Sequence, residues 1–395
     1  MSVMQSEIAE FEEQADRWFA EHKPGNPGFI LPETFMEVGT DQQFEFLRNW
    51  QQKVYENGYV GMSWPKEYGG LGMDQVFQDI ATKAMAKHRV PFLPNTIGLN
   101  WAGPLILAMG SDEEKSKYIK GILSAEDIWC QGFSEPDHGS DLGSAQCKAA
   151  KDGDEYVING SKLYITNGPV ADICLLYAKT ERDAGSKGIT AFVVETATPG
   201  FKVAQKLTKM GFRGSQTAEL VFEDMVVPRR NIVGTEHQGH RVVMCGLDYE
   251  RAAIAPINVG VAERALELAV DYAKTRKQFD QPISQFQMVQ SRIADMYVWV
   301  ETMKTFCWQV LEEAQNVDQT QAGRGQIHAR TAASVMYCAD MCNKVLDSAL
   351  QIHGGSGYIW ESEINRLFRS TKLLEIGAGT TEVRKMIIAE EVLNS

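Results

Sequence analysis

A segment at residues 129–141 is dense in hydrogen-bonding groups and begins as an apolar strand. Pro136 interrupts regular strand pairing, and Gly139 and Ser140 are small enough to let backbone N–H groups approach a ligand. Such a loop can bind the polar edge of a flavin or a pyrophosphate. From these residues alone, a polar β-turn is an equally good interpretation. The segment does not have the Gly-x-Gly-x-x-Gly spacing, so it does not indicate a dinucleotide-binding parallel sheet.

Cysteine and histidine, the usual ligands of a structural metal site, are dispersed along the chain, with seven of each and no Cys-x-x-Cys pair. Cys338 and Cys342 lie one helical turn apart, but two buried neighbours on a helix explain this spacing better than a metal pair. His237 and His240 flank Gly239 without a cysteine nearby. We therefore predict no metal site, and we predict reduced thiols in a reducing compartment.

The net charge and the N-terminal residues indicate which binding partners and cellular locations the sequence disfavours. The chain has 395 residues and a formal net charge of −13. Because proteins that bind a phosphate backbone are usually basic, we predict that nucleic acid is not a partner. The N-terminus has neither the basic and apolar regions of a secretory signal nor the arginine-rich composition of a mitochondrial presequence. No apolar stretch is long enough to span a bilayer, so the sequence predicts a cytoplasmic protein without a membrane span.

The elements that must position these residues fall into three zones, which together predict an α+β fold. Residues 1–127 have helical spacing, with Gly110 ending one helix and Ser111 or Asp112 starting the next. Residues 128–239 contain short apolar runs between turn signals. Residues 240–395 return to helical spacing, and one buried stripe comprises Ala262, Ala265, Leu266, Ala269 and Ala273.

The middle zone is predicted to be an antiparallel β domain, because no helix-length pattern separates its apolar runs. The pair Asn159-Gly160 follows one apolar run and precedes another at residues 163–166. Asn and Gly tolerate positive φ, so this pair predicts a β-hairpin turn. The order of the zones is therefore an N-terminal helical domain, a middle β domain and a C-terminal helical domain.

Several segments resemble, in order, the signatures of the acyl-CoA dehydrogenase family. Residues 134–141 match the first signature, Ser/Thr-Glu-Pro-x-x-Gly-Ser-Asp. The resemblance covers nearly the whole chain and is weakest over the first forty residues, where residues 24–38 match nothing that we can place. The other matching segments are Tyr68-Gly69-Gly70, residues 162–168, Arg276-Lys277-Gln278-Phe279 with Phe286-Gln287, residues 351–355 and residues 377–382.

The resemblance implies an FAD enzyme whose C-terminal domain is a four-helix bundle and whose subunits form a homotetramer. It also implies an acyl-CoA substrate and an electron-transfer flavoprotein as electron acceptor. The residues that it assigns to FAD are Gln131, Phe133, Ser134, Gly139, Ser140, Tyr164, Ile165, Thr166 (near flavin N5), Arg276, Gln287, Gln351, Ile352, His353, Gly354, Gly355, Thr380, Thr381 and Glu382. The residues that it assigns to the substrate are Ser140 and Ser186 (near the CoA portion), Asp248 and Arg251 (near the adenine end), Tyr249, Ala378 and Gly379.

The catalytic base is the main departure from the commonest family pattern. Many members carry a Glu just before the C-terminal Gly-Thr, but Ala378 occupies that position here. Residues 246–251 resemble the isovaleryl- and long-chain-type members, which carry the base on the first helix of the C-terminal domain. The resemblance therefore implies that Glu250 is the base. The alternative is that Glu250 pairs with Arg251 or caps a helix, although adjacent helix residues point in different directions.

The implied reaction removes the α proton of an acyl-CoA to Glu250 and transfers the β hydride to flavin N5, which yields the 2-enoyl-CoA. An α C–H beside a thioester is a very weak acid, so hydrogen bonds to the thioester carbonyl must stabilise the enolate-like charge. Implied donors are the FAD ribityl chain and a backbone N–H near Ala378, each worth roughly 3–4 kcal/mol.

Three alternatives remain open on the same scaffold. The first is an acyl-CoA oxidase, and oxygen reactivity of the reduced enzyme would distinguish it. The second is an acyl-CoA flavoenzyme that does not dehydrogenate its substrate, which an intact Glu250 disfavours. The third is a flavin-bearing binding protein without turnover. The sequence does not identify the acyl group.

Overall fold

The computed structural model describes residues 3–29, 40–212, 216–315, 325–377 and 379–394. The chain divides into two compact units. The first unit comprises Met1–Thr208 and Arg213–Val242, and the second comprises Lys209–Phe212 and Val243–Ser395. The predicted domain boundaries at residues 127 and 239 stay a prediction. Of the unplaced segment at residues 24–38, the part from residue 30 onward lies outside the described residues.

The first unit begins with helices, as the sequence predicts. Ser111 caps one of them with a capping box, since its hydroxyl accepts from the Glu114 N–H and the Glu114 carboxylate accepts from the Ser111 N–H. The predicted helix break at Gly110 is thereby confirmed, because the preceding helix ends there. The helices are α1 (Val3–His22), α2 (Asp41–Glu56), α3 (Gln75–Lys87), α4 (Gly103–Met109) and α5 (Asp112–Ser124).

An eight-stranded sheet forms the rest of the first unit. Its strands are β1 (Trp129–Gly132), β2 (Lys148–Asp152), β3 (Glu155–Thr166), β4 (Ile173–Lys179), β5 (Ile189–Glu195), β6 (Phe201–Lys206), β7 (Thr217–Pro228) and β8 (Ile232–Val233). The strand order is β6-β7-β3-β2-β4-β5-β8, and β1 pairs with β4. Most pairs are antiparallel, as predicted, but β1 and β2 both pair with β4 in parallel.

The predicted hairpin turn at Asn159-Gly160 is wrong. β3 runs without interruption through both residues, and its register against β7 shifts between Ile158 and Gly160. Gly160 has φ 145°, so its conformational freedom serves a β-bulge and not a turn. The turn lies earlier, at Gly153, between β2 and β3. Long-range pairing with β7 therefore overrides the local turn preference of this dipeptide.

The second unit contains a helical core that matches the predicted C-terminal zone. The predicted stripe lies on the first long helix, where its four alanines are fully buried and Leu266 packs against them. That core also includes Cys338, Cys342 and Val345. The helices are α6 (Gly239–Thr275), α7 (Gln287–Gln315), α8 (Gln326–His353), α9 (Gly355–Tyr358), α10 (Glu363–Ile376) and α11 (Thr381–Leu393), and a short hairpin pairs β9 (Lys277–Gln278) with β10 (Gln281–Pro282).

Six of the seven cysteines have described side chains, and all six are free and buried. Cys338 and Cys342 are buried neighbours on α8, as predicted. Within the described part of the chain, no three His, Cys, Asp or Glu side chains lie close enough together to hold a metal ion. None of the helices in this described part is both long and apolar enough to cross a bilayer.

Candidate functional site

The predicted ligand loop at residues 131–140 leaves the end of β1 and closes on itself in a tight turn. The Glu135 N–H donates to the His138 carbonyl (3.0 Å), and the His138 N–H donates to the Glu135 carbonyl (3.2 Å). Gly139 and Ser140 at its outer end are exposed. A Cβ built on Gly139 would meet no heavy atom of the described residues within 4 Å. The loop therefore leaves open space in which a ligand can approach the backbone.

Glu135 anchors this loop from the inside. Its side chain is 4% exposed, and its carboxylate accepts hydrogen bonds from the Gln146 N–H (2.5 Å) and the Cys147 N–H (2.9 Å). Burial acts to raise the pKa of Glu135, but the positive charge of Lys162 and the hydrogen bonds that the carboxylate accepts prevail and lower it. Glu135 is thus an ionised group that anchors the turn and shapes the loop.

Lys162 connects the loop to β3. Its side chain is fully buried, and Nζ donates to the Glu135 carboxylate (2.9 Å) and to the Phe133 carbonyl (3.0 Å). The Leu163 N–H donates to the Ser134 carbonyl (2.9 Å) beside it. The structure therefore joins the two segments that the sequence assigns to one ligand. Lys162 lies in the motif at residues 162–168, but nothing in that motif indicates a role for it.

Tyr164 has an unusual backbone. Its φ is 64°, its side chain is 66% exposed, and the β3–β7 register shifts between Lys162 and Ile165. A bulky residue at positive φ costs about 1–3 kcal/mol and is commonest at functional sites. Ile165, by contrast, has a buried side chain in the core of the sheet, so only its backbone can reach a ligand. Thr166 is half-buried.

Tyr177 on β4 orders the inner part of the loop. The Gln131 side-chain amide donates to the Tyr177 hydroxyl (3.5 Å), and the rings of Phe133 and Tyr177 meet edge to face with centroids 5.3 Å apart. Gln131, Phe133 and Ser134 are all half-buried. Tyr177 was not predicted to belong to the site, because nothing in the sequence of an apolar strand indicates that its side chain contacts this loop.

The two serines assigned to the CoA portion of a substrate lie on neighbouring loops. Ser140 precedes the 3₁₀ turn Leu142–Ser144, and Ser186 lies in the 3₁₀ turn Gly185–Gly188. Both serines are exposed. A Cβ built on Gly143 would lie 3.6 Å from the Ser186 nitrogen. The structure thus brings these two loops within contact distance.

In the second unit, Glu250 lies on α6 and is half-buried. The Arg251 side chain next to it is only 3% exposed, and its Nε and Nη1 have no hydrogen-bond partner among the residues that the structure describes. Burial lowers the pKa of Arg251, while the carboxylates of Glu250 and Asp248 act to raise it. Gly379 has φ 94°, and a Cβ built on it would lie 3.8 Å from Arg251 Nη2. A buried cation therefore lies beside the candidate base.

Asp248 is buried in the helical core. Its carboxylate accepts a hydrogen bond from the Thr331 hydroxyl (3.2 Å) and lies 2.5 Å from His328 Nδ1. The prediction that Asp248 contacts the substrate stays a prediction, and the structure gives this carboxylate partners inside the protein. Two further substrate candidates fall outside the described residues, namely Ala378 and the side chain of Tyr249.

Glu375 is the carboxylate closest in sequence to the position where many family members carry the base. It accepts a hydrogen bond from the Asn343 side-chain amide (2.8 Å) and forms an ion pair with Lys372. The Thr371 hydroxyl donates to the side-chain oxygen Oδ1 of Asn343 (2.8 Å). Glu375 is thus held in a polar cluster of α8 and α10.

The remaining FAD candidates lie at the ends of elements in the second unit. Arg276 and Gln287 are exposed at the two ends of the connection that contains β9 and β10. At the end of α8, Gly354 has φ 56°, and the buried Ile352 side chain packs in the helical core. The other FAD candidates at these helix ends differ in exposure. Gln351, Gly355 and Glu382 are exposed, and His353, Thr380 and Thr381 are half-buried.

Comparisons with known proteins agree with these observations. Residues 33–126, 130–225 and 237–393 match the N-terminal, middle and C-terminal domains of acyl-CoA dehydrogenase. The chain is 40% identical over 339 residues to the mitochondrial isovaleryl-CoA dehydrogenase of Oryza sativa subsp. japonica, which covers 84% of this chain and 80% of that protein. It is 37% identical to the mitochondrial 2-methylacyl-CoA dehydrogenase of Solanum tuberosum, with 84% and 79% covered. The crystal structure of an acyl-CoA dehydrogenase from Geobacillus kaustophilus superposes with a TM-score of 0.83 at 31% identity and covers 98% of both chains.

Proposed function

The chain belongs to the acyl-CoA dehydrogenase family, whose members are oxidoreductases that act on acyl-CoA, and we propose on that premise that it desaturates a short, branched acyl-CoA with FAD as its cofactor. The observation that carries this proposal is the connection between the loop at residues 131–140 and Tyr164. Glu135 and Lys162 hold these two candidate FAD segments together from the inside. Their outer sides offer open space at Gly139 and an exposed aromatic ring at Tyr164.

The residues present fit a flavin. A flat, polar-edged ring system needs backbone donors that it can approach closely and an apolar or aromatic surface to pack against. Gly139 meets the first need, since no heavy atom occupies the space beside it, and Tyr164 meets the second. When bound, FAD supplies the two-electron acceptor for the hydride of the substrate's β carbon.

Glu250 takes the proton from the α carbon in this proposal. A carboxylate can do so only where the developing negative charge is stabilised, and a backbone N–H near Ala378 would donate to the thioester carbonyl. The buried Arg251 lies next to Glu250 in sequence, and the Glu250 carboxylate acts to raise the pKa of Arg251 and so favours its charged form. The product is the 2-enoyl-CoA, with the α C–H and β C–H bonds broken and a C=C bond formed.

The names of the relatives narrow the substrate. Isovaleryl-CoA and 2-methylacyl-CoA both carry a methyl branch within a few carbons of the thioester. We therefore infer a short, branched acyl group for this chain and an electron-transfer flavoprotein as the acceptor of its electrons. The predicted cytoplasmic location stays a prediction, since these two relatives are named as mitochondrial enzymes.

We also propose that the subunits assemble into a homotetramer in which Arg276 and Gln287 reach a neighbouring subunit's FAD. The hairpin between them exposes 88% of Phe279 at its tip. In this proposal, the exposed Phe279 ring is available for contact with a neighbouring subunit. Phe279 and Asp280 both have positive φ, which makes the hairpin tip tight and well defined.

An anaerobic acyl-CoA panel tests the proposal. The panel contains isovaleryl-, 2-methylbutyryl-, butyryl- and octanoyl-CoA, and loss of the flavin absorbance reports reduction. A branched short-chain thioester should reduce the flavin fastest, and the reduced enzyme should pass electrons to an electron-transfer flavoprotein. Rapid reoxidation by oxygen would identify an acyl-CoA oxidase instead. A protein that binds FAD but that no acyl-CoA reduces would contradict the proposal.

A further inference from the structure

Lys179 is a buried lysine at the last position of β4. Its side chain is 6% exposed, and Nζ donates to the Gly143 carbonyl (2.7 Å) and to the Gly185 carbonyl. Its backbone N–H donates to the Cys147 carbonyl (2.7 Å). The side chain therefore bridges two loops, while the backbone is held by the strand that leads away from the first of them.

These two loops carry Ser140 and Ser186. The Gly185 carbonyl points to Lys179, and in a trans peptide the next N–H points the opposite way. The Ser186 N–H therefore points away from the Lys179 ammonium group. Gly143 has no side chain, and its ideal Cβ position lies 3.6 Å from the Ser186 nitrogen, so the two loops approach each other to about van der Waals distance at this point.

Burial acts against the charge of this lysine. Desolvation lowers the pKa of Lys179, and the carboxylates of Glu135 and Asp141 act to raise it. An apolar side chain would fill the same volume without that cost. We therefore assign the Lys179 ammonium group a positioning role, because its three N–H donors can bind carbonyl oxygens of two separate loops at once.

We propose that Lys179 is a positioning residue that sets the spacing of the loops at residues 140–144 and 185–188 so that they bind the CoA portion of the substrate. The inference rests on the proposed function and concerns the same substrate. It predicts that loss of the ammonium group weakens binding of the part of the substrate shared by all acyl-CoA thioesters. The reacting carbons, which lie at the other end of the thioester, should be affected much less.

Three variants test this inference in the FAD-loaded enzyme. Lys179→Met removes the charge at similar length, and Lys179→Arg keeps a charged donor. Lys148→Met is the matched control, because Lys148 is an exposed lysine paired in register with Lys179. Should Lys179→Met not fold, Lys179→Gln serves in its place, since it retains two amide donors without the charge.

The first readout is the Kd of CoA itself, measured by isothermal titration calorimetry. Lys179→Met should raise this Kd roughly 10-fold to 100-fold, because small displacements of positioning groups have effects of this size. The KM for an acyl-CoA should rise in parallel, while the limiting rate of flavin reduction and the FAD content should change by less than about threefold. Lys179→Arg should recover most of the affinity, and Lys148→Met should match the wild type.

The second readout is a truncated substrate, the N-acetylcysteamine thioester of the same acyl group, which lacks most of the CoA portion. Lys179→Met and the wild type should reduce their flavin with this thioester at similar rates. An equal loss with both thioesters would mean a general structural defect and would overturn the inference. A Lys179→Met variant with unchanged CoA affinity and unchanged KM would also overturn the inference. The proposed function would still hold in that case, provided that an acyl-CoA reduces the flavin of the wild type. A wild type that neither binds CoA nor is reduced by acyl-CoA would refute both.

Discussion

Lys162 donates a 2.9 Å hydrogen bond to Glu135, and the two side chains are 0% and 4% exposed. This ion pair joins the loop after β1 to the strand that carries Tyr164. Both partners have further hydrogen bonds, from backbone N–H groups to Glu135 and from Lys162 to the Phe133 carbonyl. A buried pair satisfied in this way specifies one arrangement of the two segments, because either charge left alone would be costly.

We expect Lys162→Met to destabilise the protein by about 3–5 kcal/mol, because the Glu135 charge would then be buried without its partner. FAD retention should fall with it, since the loop and β3 would no longer be held together. Urea denaturation and the flavin content after gel filtration measure these two effects. Lys202→Met is the control, because Lys202 forms an exposed pair with Glu223 that should contribute about 0–1 kcal/mol. Equal stability losses in both variants would contradict the proposed role of the buried pair.

Glu135 should also make stability depend on pH. Its pKa in the folded protein is below the ordinary value of 4.5, so folding favours the ionised form. This contribution is therefore complete above the unfolded-state pKa and is lost as the pH falls through the folded-state pKa. The stability difference between the wild type and Glu135→Gln should begin to shrink as the pH falls toward the ordinary value of 4.5 and should continue to shrink below it. A difference that stays constant or grows on acidification would be inconsistent with an ionised Glu135.

Gly160→Ala tests the β-bulge in β3. A Cβ on Gly160 would lie 2.7 Å from the Cys147 Cα, and its φ of 145° strains any L side chain. We expect a loss of at least about 2 kcal/mol in the free energy of unfolding. Gly260→Ala is the control, because its Cβ would meet no heavy atom within 4 Å and the residue lies inside α6. That change should stabilise the protein by about 0.5–1 kcal/mol, and a harmless Gly160→Ala would mean that the bulge is not required.

Much of the fold could be predicted from local signals, and the errors came from long-range pairing. The alanine stripe of α6 and the Gly110-Ser111 boundary depend on helical period and capping, which a short window of sequence contains. The turn preference of Asn159-Gly160 gave way to strand β7, more than fifty residues later in the chain. Parallel pairing of β1 with β4 has no local signal either, because it depends on which strands become neighbours in the finished sheet.

The motifs in the sequence predict the residues that face a ligand in the candidate site. They do not predict the buried residues that hold those segments in place. Gly139 and Tyr164 stand in recognisable segments. From the sequence alone, Lys162 and Lys179 on their strands would be expected to be solvent-exposed. Both side chains are buried, and this burial depends on how the sheet packs. Their partners are backbone carbonyls and a distant carboxylate, which no spacing in the sequence indicates.

Arg276→Ala should weaken both assembly and FAD retention, since the proposal assigns Arg276 to a neighbouring subunit's FAD. Analytical ultracentrifugation should show a shift from tetramers to smaller species, and the flavin content per chain should fall below the one FAD expected for the wild type. Lys277→Ala is a suitable control, because Lys277 is the next residue and is exposed on the same hairpin. A monomeric wild type that retains its full FAD content would contradict the proposed assembly.

Glu250→Gln should abolish most of the proton abstraction while preserving the shape of the site. Gln has the size of Glu but no basic carboxylate, so flavin reduction by the best acyl-CoA should slow by about 10²–10⁴-fold, the usual contribution of a general base. FAD content and acyl-CoA affinity should change little. Stopped-flow absorbance measures the rate, and calorimetry measures the affinity.

The matched control for the base is Glu375→Gln, because Glu375 lies three residues before Ala378 and its carboxylate already pairs with Asn343 and Lys372. This variant should lose stability more than reduction rate. Adding Ala378→Glu to Glu250→Gln should restore a small part of the reduction rate, since related enzymes carry their base at that position. If Glu250→Gln reduces its flavin at nearly the wild-type rate while Glu375→Gln does not, the base is Glu375 and the assignment of Glu250 is wrong.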